Sequence, residues 1–208
     1  MAVAKSPFLV YQDFISPMLC EGIVSSIDMF SPDYDIEGRP IRRTRRHDDA
    51  ELVIFDKMEN EIANIEEYYN IDCKGVEKMT FEYYPEGTGN QEHTCENSNY
   101  VRKKWVRTRD RDISGILFLS DFQDSVPFDS DFEVFGGKLE FPQHKFGFNP
   151  SRGTLILYPS GPHFINTTTG ILAGDLYQVR VHLSATMPHM YNPADFPGDF
   201  KSWFKDLS

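Results

Sequence analysis

The sequence predicts a mainly β chain of the α+β kind, a jelly-roll barrel buttressed by N-terminal helices, and three observations lead there. Two segments near the N-terminus carry apolar residues at helical spacing. After about residue 70 the chain breaks into short runs that alternate or are wholly apolar. Gly, Pro, Asp and Asn separate those runs. The 17 Phe and 10 Tyr also favour strands. With 208 residues, 40% of them hydrophobic, a single domain over 1–208 can bury a sizeable core. Its expected parts are a strand plus helical buttress over 1–75, a barrel over 76–186 and a C-terminal tail over 187–208.

A short strand opens at residues 8–11. Ser16 followed by Pro17 is an N-cap with proline at the first helical position, and it starts a helix to about Met29. Met18, Leu19, Ile23, Val24 and Ile27 form its expected buried stripe. Residues 31–47 are turn-rich and then basic, with Arg39, Arg42, Arg43, Arg45 and Arg46. They read as a solvated loop neutralised by Asp48, Asp49 and Glu51, or as a clamp for an acidic peptide or phosphate. A second helix is expected over 49–70, with Leu52, Phe55, Met58, Ile62 and Ile65 inward. Strands follow at 78–84, where Met79, Phe81 and Tyr83 share a face, and at 113–119, apolar enough to be covered on both sides. Further strands are expected at 138–141 after Gly136-Gly137, at 153–158 and at 177–183. In the last, Tyr177, Val179, Val181 and Leu183 alternate with Gln178, Arg180 and His182. The acidic stretch 121–133 reads as a loop, and the aromatic tail (Phe196, Phe200, Trp203, Phe204) as packing back on the body.

A formal charge of −11 argues against the whole surface docking on nucleic acid or an anionic membrane. Cys20, Cys73 and Cys95 form neither a disulfide framework nor a zinc pattern, which favours a reducing compartment. No stretch approaches the roughly 20 apolar residues of a membrane span. A cytoplasmic protein is expected, in the host cytoplasm or the virion if a virus encodes it.

The most specific motif is Tyr84-Pro-Glu-Gly87-Thr-Gly-Asn-Gln-Glu-His93-Thr-Cys95. Ile116-Leu-Phe-Leu119, Gly136-Gly137-Lys-Leu-Glu-Phe-Pro142, Asn149-Pro-Ser-Arg-Gly153-Thr-Leu-Ile-Leu-Tyr-Pro159 and then His163 follow it. In this order, over residues 8–183, the chain resembles the Fe(II)- and 2-oxoglutarate-dependent dioxygenases. Within them it resembles the prolyl 4-hydroxylase-like branch, which includes small bacterial and phage members. The resemblance implies a double-stranded β-helix with Fe(II) held by two imidazoles and one carboxylate, leaving positions open for the keto-acid and dioxygen. His93 and His163 match the histidines. The acid belongs two residues after the first histidine, where this chain has Cys95. Glu96 takes its place if the strand bulges, although strict alternation points it away. Otherwise Cys95 ligates as thiolate, or the position has no protein ligand.

The resemblance also implies a buried cation for the distal carboxylate of 2-oxoglutarate. The branch usually has Lys or Arg about ten residues after the second histidine; that position is Ala173. Arg180 is the candidate instead, with Tyr83 and Tyr158 as added hydroxyls. His144, His182 and His189 match no ligand spacing. The implied activity is hydroxylation of a C–H bond, peptidyl proline for example, with succinate release and ascorbate as auxiliary reductant. The partners are then 2-oxoglutarate and a peptide or small-molecule substrate. The competing expectation is a catalytically inactive jelly roll serving as a binding or structural subunit, with a protein assembly partner, in a viral particle for instance. A cupin-like metal or sugar site is a third, weaker reading.

Overall fold

In a computed structural model, the described residues are 6–28, 36–37, 43–45, 48–126 and 132–185. The aromatic tail, most of the basic run and the middle of the acidic loop, all read above from sequence, lie outside them. Helix α1 spans Pro17–Asp28 and helix α2 spans Asp48–Tyr69. Ser16 caps α1, its Oγ accepting from Leu19 N at 3.3 Å and its carbonyl from Cys20 N at 3.1 Å.

Seven strands make the main sheet. Along it run Leu9–Tyr11, Leu155–Pro159, Ile113–Phe118, Leu176–Ala185, Thr80–Tyr84 and Arg43–Arg45, all antiparallel, and Cys73–Val76 pairs with the far end of the long strand. A smaller antiparallel sheet runs Phe146–Phe148, Leu139–Phe141, Asn166–Thr168 and Asn90–Thr94. Among the described residues no continuous ladder closes the two sheets into a barrel; they form a jelly roll. No helix of the described residues is long and apolar enough to cross a membrane.

Period-two alternation sorts the main sheet into two faces. Met79, Phe81, Tyr83, Leu155, Leu157, Tyr177, Val179, Val181 and Leu183 point towards the helices. There they pack with Cys20, Ile23, Val24, Ile54, Met58 and Ile65. Tyr84, Ile116, Phe118, Ile156, Tyr158 and Leu176 point the other way and meet Leu139, Phe141 and Phe164 across the sandwich. The inner stripe of each helix differs from the sequence expectation at one end: Met18 and Leu52 are largely exposed, at 79% and 62%, while Cys20 and Ile54 are fully buried. Helical spacing fixes the stripe's period but not its phase against the sheet. Ties from α2 settle the phase: Tyr69 Oη donates to the Leu157 carbonyl at 2.9 Å, and Glu51 Oε1 accepts from Met79 N at 2.7 Å.

Two glycines of the sequence motifs are required by contact. At Gly136 (φ +95) a Cβ would run into the Gly170 carbonyl, and at Gly153 (φ +80) into that of Ile15. Gly153→Ala is expected to destabilise the fold by more than about 1 kcal/mol, measured by urea unfolding, because both the left-handed backbone and the contact oppose a side chain.

Candidate functional site

The inner face of the main sheet is apolar at one end and polar at the other. Strand Leu176–Ala185 contributes Gln178, Arg180 and His182, all buried, and strand Thr80–Tyr84 contributes Thr80, Glu82 and Tyr84. Register places Arg180 opposite Thr80 and Gln178 opposite Glu82. From the smaller sheet come Thr94 and then Glu96, just beyond the strand end. Arg109 and Arg111 arrive on the segment that leads back into the main sheet. These side chains line a cavity of about 200 Å³ whose residues are Thr80, Glu82, Thr94, Glu96, Arg109, Arg111, Arg180 and His182.

The cavity is organised by charge. Arg180 Nε donates to Glu82 Oε2 at 3.0 Å and its Nη1 to Glu96 Oε1 at 2.6 Å. Glu82 Oε2 also accepts from Gln178 Nε2 at 2.7 Å and from Tyr84 Oη at 3.2 Å. At the other oxygen of Glu96, Arg111 Nη1 stands 3.7 Å from Oε2 and His182 Nε2 stands 4.0 Å away. Arg111 also grips Glu77 with two 2.6 Å bonds, and these hold the Glu77 carboxyl below its usual range. Burial works against the charge on Arg180, but Glu82 and Glu96 outweigh it and push its pKa up. Burial pushes His182 down to about 4 against the opposing pull of Glu96, so at neutral pH its ring is uncharged and Nδ1 shares a 2.9 Å hydrogen bond with Ser114 Oγ. Tyr158, fully buried, is pushed well above the usual phenol range by burial and then by Glu96.

The structure brings Arg180 and Glu96 together, but as partners of each other. His93 is exposed on strand Asn90–Thr94 and does not line the cavity. Thr94, paired with Asn166, lines the cavity, so alternation turns His93, its neighbour on the strand, the other way; in the bend beyond the strand Glu96 lines the cavity and Cys95 does not. It is thus the histidine, and not the glutamate, that alternation removes from the interior. Cys95 donates from Sγ to the Ser160 carbonyl at 3.7 Å, and burial raises its pKa, which keeps it a thiol. His163 lies buried in a short 3-10 turn, Pro162–Phe164, where its carbonyl accepts from His144 Nε2 at 2.8 Å. Tyr83 stacks on Tyr177 in the helix-side core, ring centroids 4.9 Å apart. Tyr158 packs against Phe141 on the inner side, near the charges. Ala173 is buried in a separate three-stranded sheet.

Sequence reasoning passed over Glu82, Arg111 and Asn166. For Glu82 the signal was there: it alternates with Phe81 and Tyr83, so it shares the face of Tyr84.

Iron and its cosubstrate do not fit these side chains. Among the described residues no group of three or more His, Cys, Asp or Glu could hold a metal ion. Both carboxylates in the cavity are already bonded to Arg180, through its Nε and Nη1.

Removing the guanidinium should leave two carboxylates buried without it. Arg180→Met is therefore expected to lower the unfolding free energy by about 3–5 kcal/mol, read from urea melts. His182 gives a pH signature with a definite sign. Its folded pKa of about 4 lies below the ordinary 6.5, so below pH 6.5 the unfolded chain takes up a proton that the folded chain refuses. Its contribution is complete above 6.5 and is lost as pH falls from 6.5 towards 4. His182→Gln is expected to flatten the fall in melting temperature across that window.

Comparison with known proteins bears on the fold. No family model matches the chain, and no curated protein matches it. Solved structures do. The viral collagen prolyl hydroxylase of Paramecium Bursaria Chlorella virus-1, in complex with 2OG, superposes with a TM-score of 0.61 at 14% identity, covering 87% of this chain and 97% of that one. A Pseudomonas putida prolyl-4-hydroxylase gives 0.62 at 14%, over 88% and 95%. HygX from Streptomyces hygroscopicus, with nickel and 2-oxoglutarate bound, gives 0.51 at 12%, over 93% and 91%. The chain has the fold of the prolyl hydroxylases and 2-oxoglutarate-dependent oxygenases.

Proposed function

We propose that this chain is a non-catalytic relative of the 2-oxoglutarate oxygenases, its jelly roll serving as a binding or assembly subunit. The observation that carries this reading is the state of Arg180. A cosubstrate carboxylate that took the place of Glu82 on Arg180 would leave that buried carboxylate without its cation. At about 3–5 kcal/mol, that penalty lowers affinity roughly a hundredfold to several thousandfold.

The competing reading is a 2-oxoglutarate- and Fe(II)-dependent hydroxylase of a C–H bond, such as that of a peptidyl proline. Its support is the shared fold and the solved neighbours that carry 2-oxoglutarate. On it, His93, His163 and Glu96 or Cys95 hold iron, while Arg180, Tyr83 and Tyr158 hold the cosubstrate. With Glu96 as the third ligand it requires that residue, which lines the cavity, to meet His93, which does not; with Cys95 it requires a thiol that burial keeps protonated to give up its proton.

The two readings separate in one experiment. Protein reconstituted with Fe(II) without oxygen is desalted, assayed for iron, then given 2-oxoglutarate and air. The expected result is no stoichiometric iron and no succinate above the blank; iron-dependent succinate release overturns the proposal. Cys95→Asp is expected to leave iron binding unchanged, because that side chain faces Ser160 and not the cavity.

A further inference from the structure

Between residues 98 and 109 the chain carries Arg102, Lys103, Lys104, Arg107 and Arg109 and no acid, in a protein of formal charge −11. The segment is a hairpin of Ser98–Val101 with Lys104–Arg107, a two-stranded sheet separate from the others. Two-stranded ribbons have little stability of their own. On one face Tyr100 and Trp105 pack together, ring centroids 5.2 Å apart. The pairings Val101↔Lys104 and Asn99↔Val106 put Val101, Val106 and Lys104 on the opposite face, and both valines are 48% exposed. At the tip, Arg102 and Lys103 adopt φ of 49° and 63°, left-handed backbone that Asn or Gly enters more easily. The hairpin accepts that strain and displays two cations at its end. Arg107 is tied to Asp110 and Asp112 and Arg109 lies at the cavity, so Arg102, Lys103 and Lys104 are the exposed cations at the hairpin's tip.

The same chain presents a matching surface. On the outer stripe of α2, Leu52 and Val53 lie exposed between Asp49 and Asp56, at spacings of three and four residues. Exposed Glu59 and Glu67 extend the acidic character, and Lys57 is the only base of the helix. One surface is a pair of valines beside cations; the other is a Leu-Val pair between carboxylates.

We propose that the hairpin docks on α2 of a second copy of this chain, Val101 and Val106 against Leu52 and Val53, the basic tip against Asp49 and Asp56. The contact joins two different surfaces, so two copies can exchange it reciprocally as a closed dimer or pass it on head to tail, and in either case mass grows with concentration. It does not depend on whether the cavity is catalytic.

The test is sedimentation velocity on the full chain across protein concentration, at about 0.05 M and about 1 M salt. Opposite charges at a rim are screened over a few ångströms at the higher salt, so the apparent dissociation constant should rise at least about tenfold. Lys103→Glu with Lys104→Glu, and separately Asp49→Lys with Asp56→Lys, should each give monomers of 24.0 kDa. Mixing the two variants should restore association, since each reversed surface then meets an opposite one. All four positions are exposed, and unchanged circular dichroism and melting temperature confirm that the variants fold. A wild-type chain that stays monomeric at low salt overturns the proposal, even if it captures an oligonucleotide or an acidic protein, and so does a failure of the mixture to associate.

Discussion

A guanidinium clasped between two carboxylates inside the sandwich governs the arrangement of this molecule. Arg180 comes from the longest strand, Glu82 from its neighbour in the main sheet, and Glu96 from beyond the edge of the smaller sheet. None of the three charges could stay in that interior alone, since an unpaired buried ion costs several kcal/mol. Each therefore conditions the other two, and the set fixes how the end of strand Asn90–Thr94 sits against the main sheet. An apolar filling of the same volume would stabilise the fold as well or better. What ions contribute is a demand for one arrangement, because only one brings all three charges into contact.

The same network shows which parts of the site were legible in the sequence. The inner face of strand Leu176–Ala185 could be read directly: Gln178, Arg180 and His182 alternate with four apolar neighbours, and all three are buried. Both helices and the main strands were legible for the same reason, because each shows a clear period. His93 was not, because a motif counts residues along the chain, whereas the face on which a residue lies is set by pairing across the sheet. Here Asn166 opposes Thr94, which shifts the inward positions by one from the histidine to its neighbour. The hairpin at 98–107 had no apolar period strong enough to announce it; its turn is built from Arg102 and Lys103, not from the glycine or asparagine that usually marks one.

Fold and chemistry separate cleanly in such a chain. The layers depend on which face of each strand is apolar, and many sequences meet that condition, so superposition at 14% identity is unsurprising. A metal centre depends on three particular donors meeting at one point. On the proposed reading, turning one strand position by a single residue leaves the first condition intact and breaks the second. Thr94 is as acceptable as a histidine to the strand that carries it, but it offers no imidazole.

Charge then connects the interior to the surface. The basic hairpin is rooted at the cavity: Glu96 precedes its first strand, and Arg109 and Arg111 follow its second. Its base is clasped at Asn97, whose carbonyl accepts from Thr108 N at 2.8 Å and Arg109 N at 3.1 Å, while its side chain donates to the Arg111 carbonyl at 3.0 Å. Glu96, one residue away, is held by Arg180 and faced by Arg111. A two-stranded ribbon standing alone would sway about its base. Here that base is anchored to buried ions on both sides, so the valines and cations at the tip are presented from a fixed foundation. The residues that hold the hairpin's base are thus neighbours of the buried ions, so the cavity and the ribbon share one foundation while presenting different surfaces.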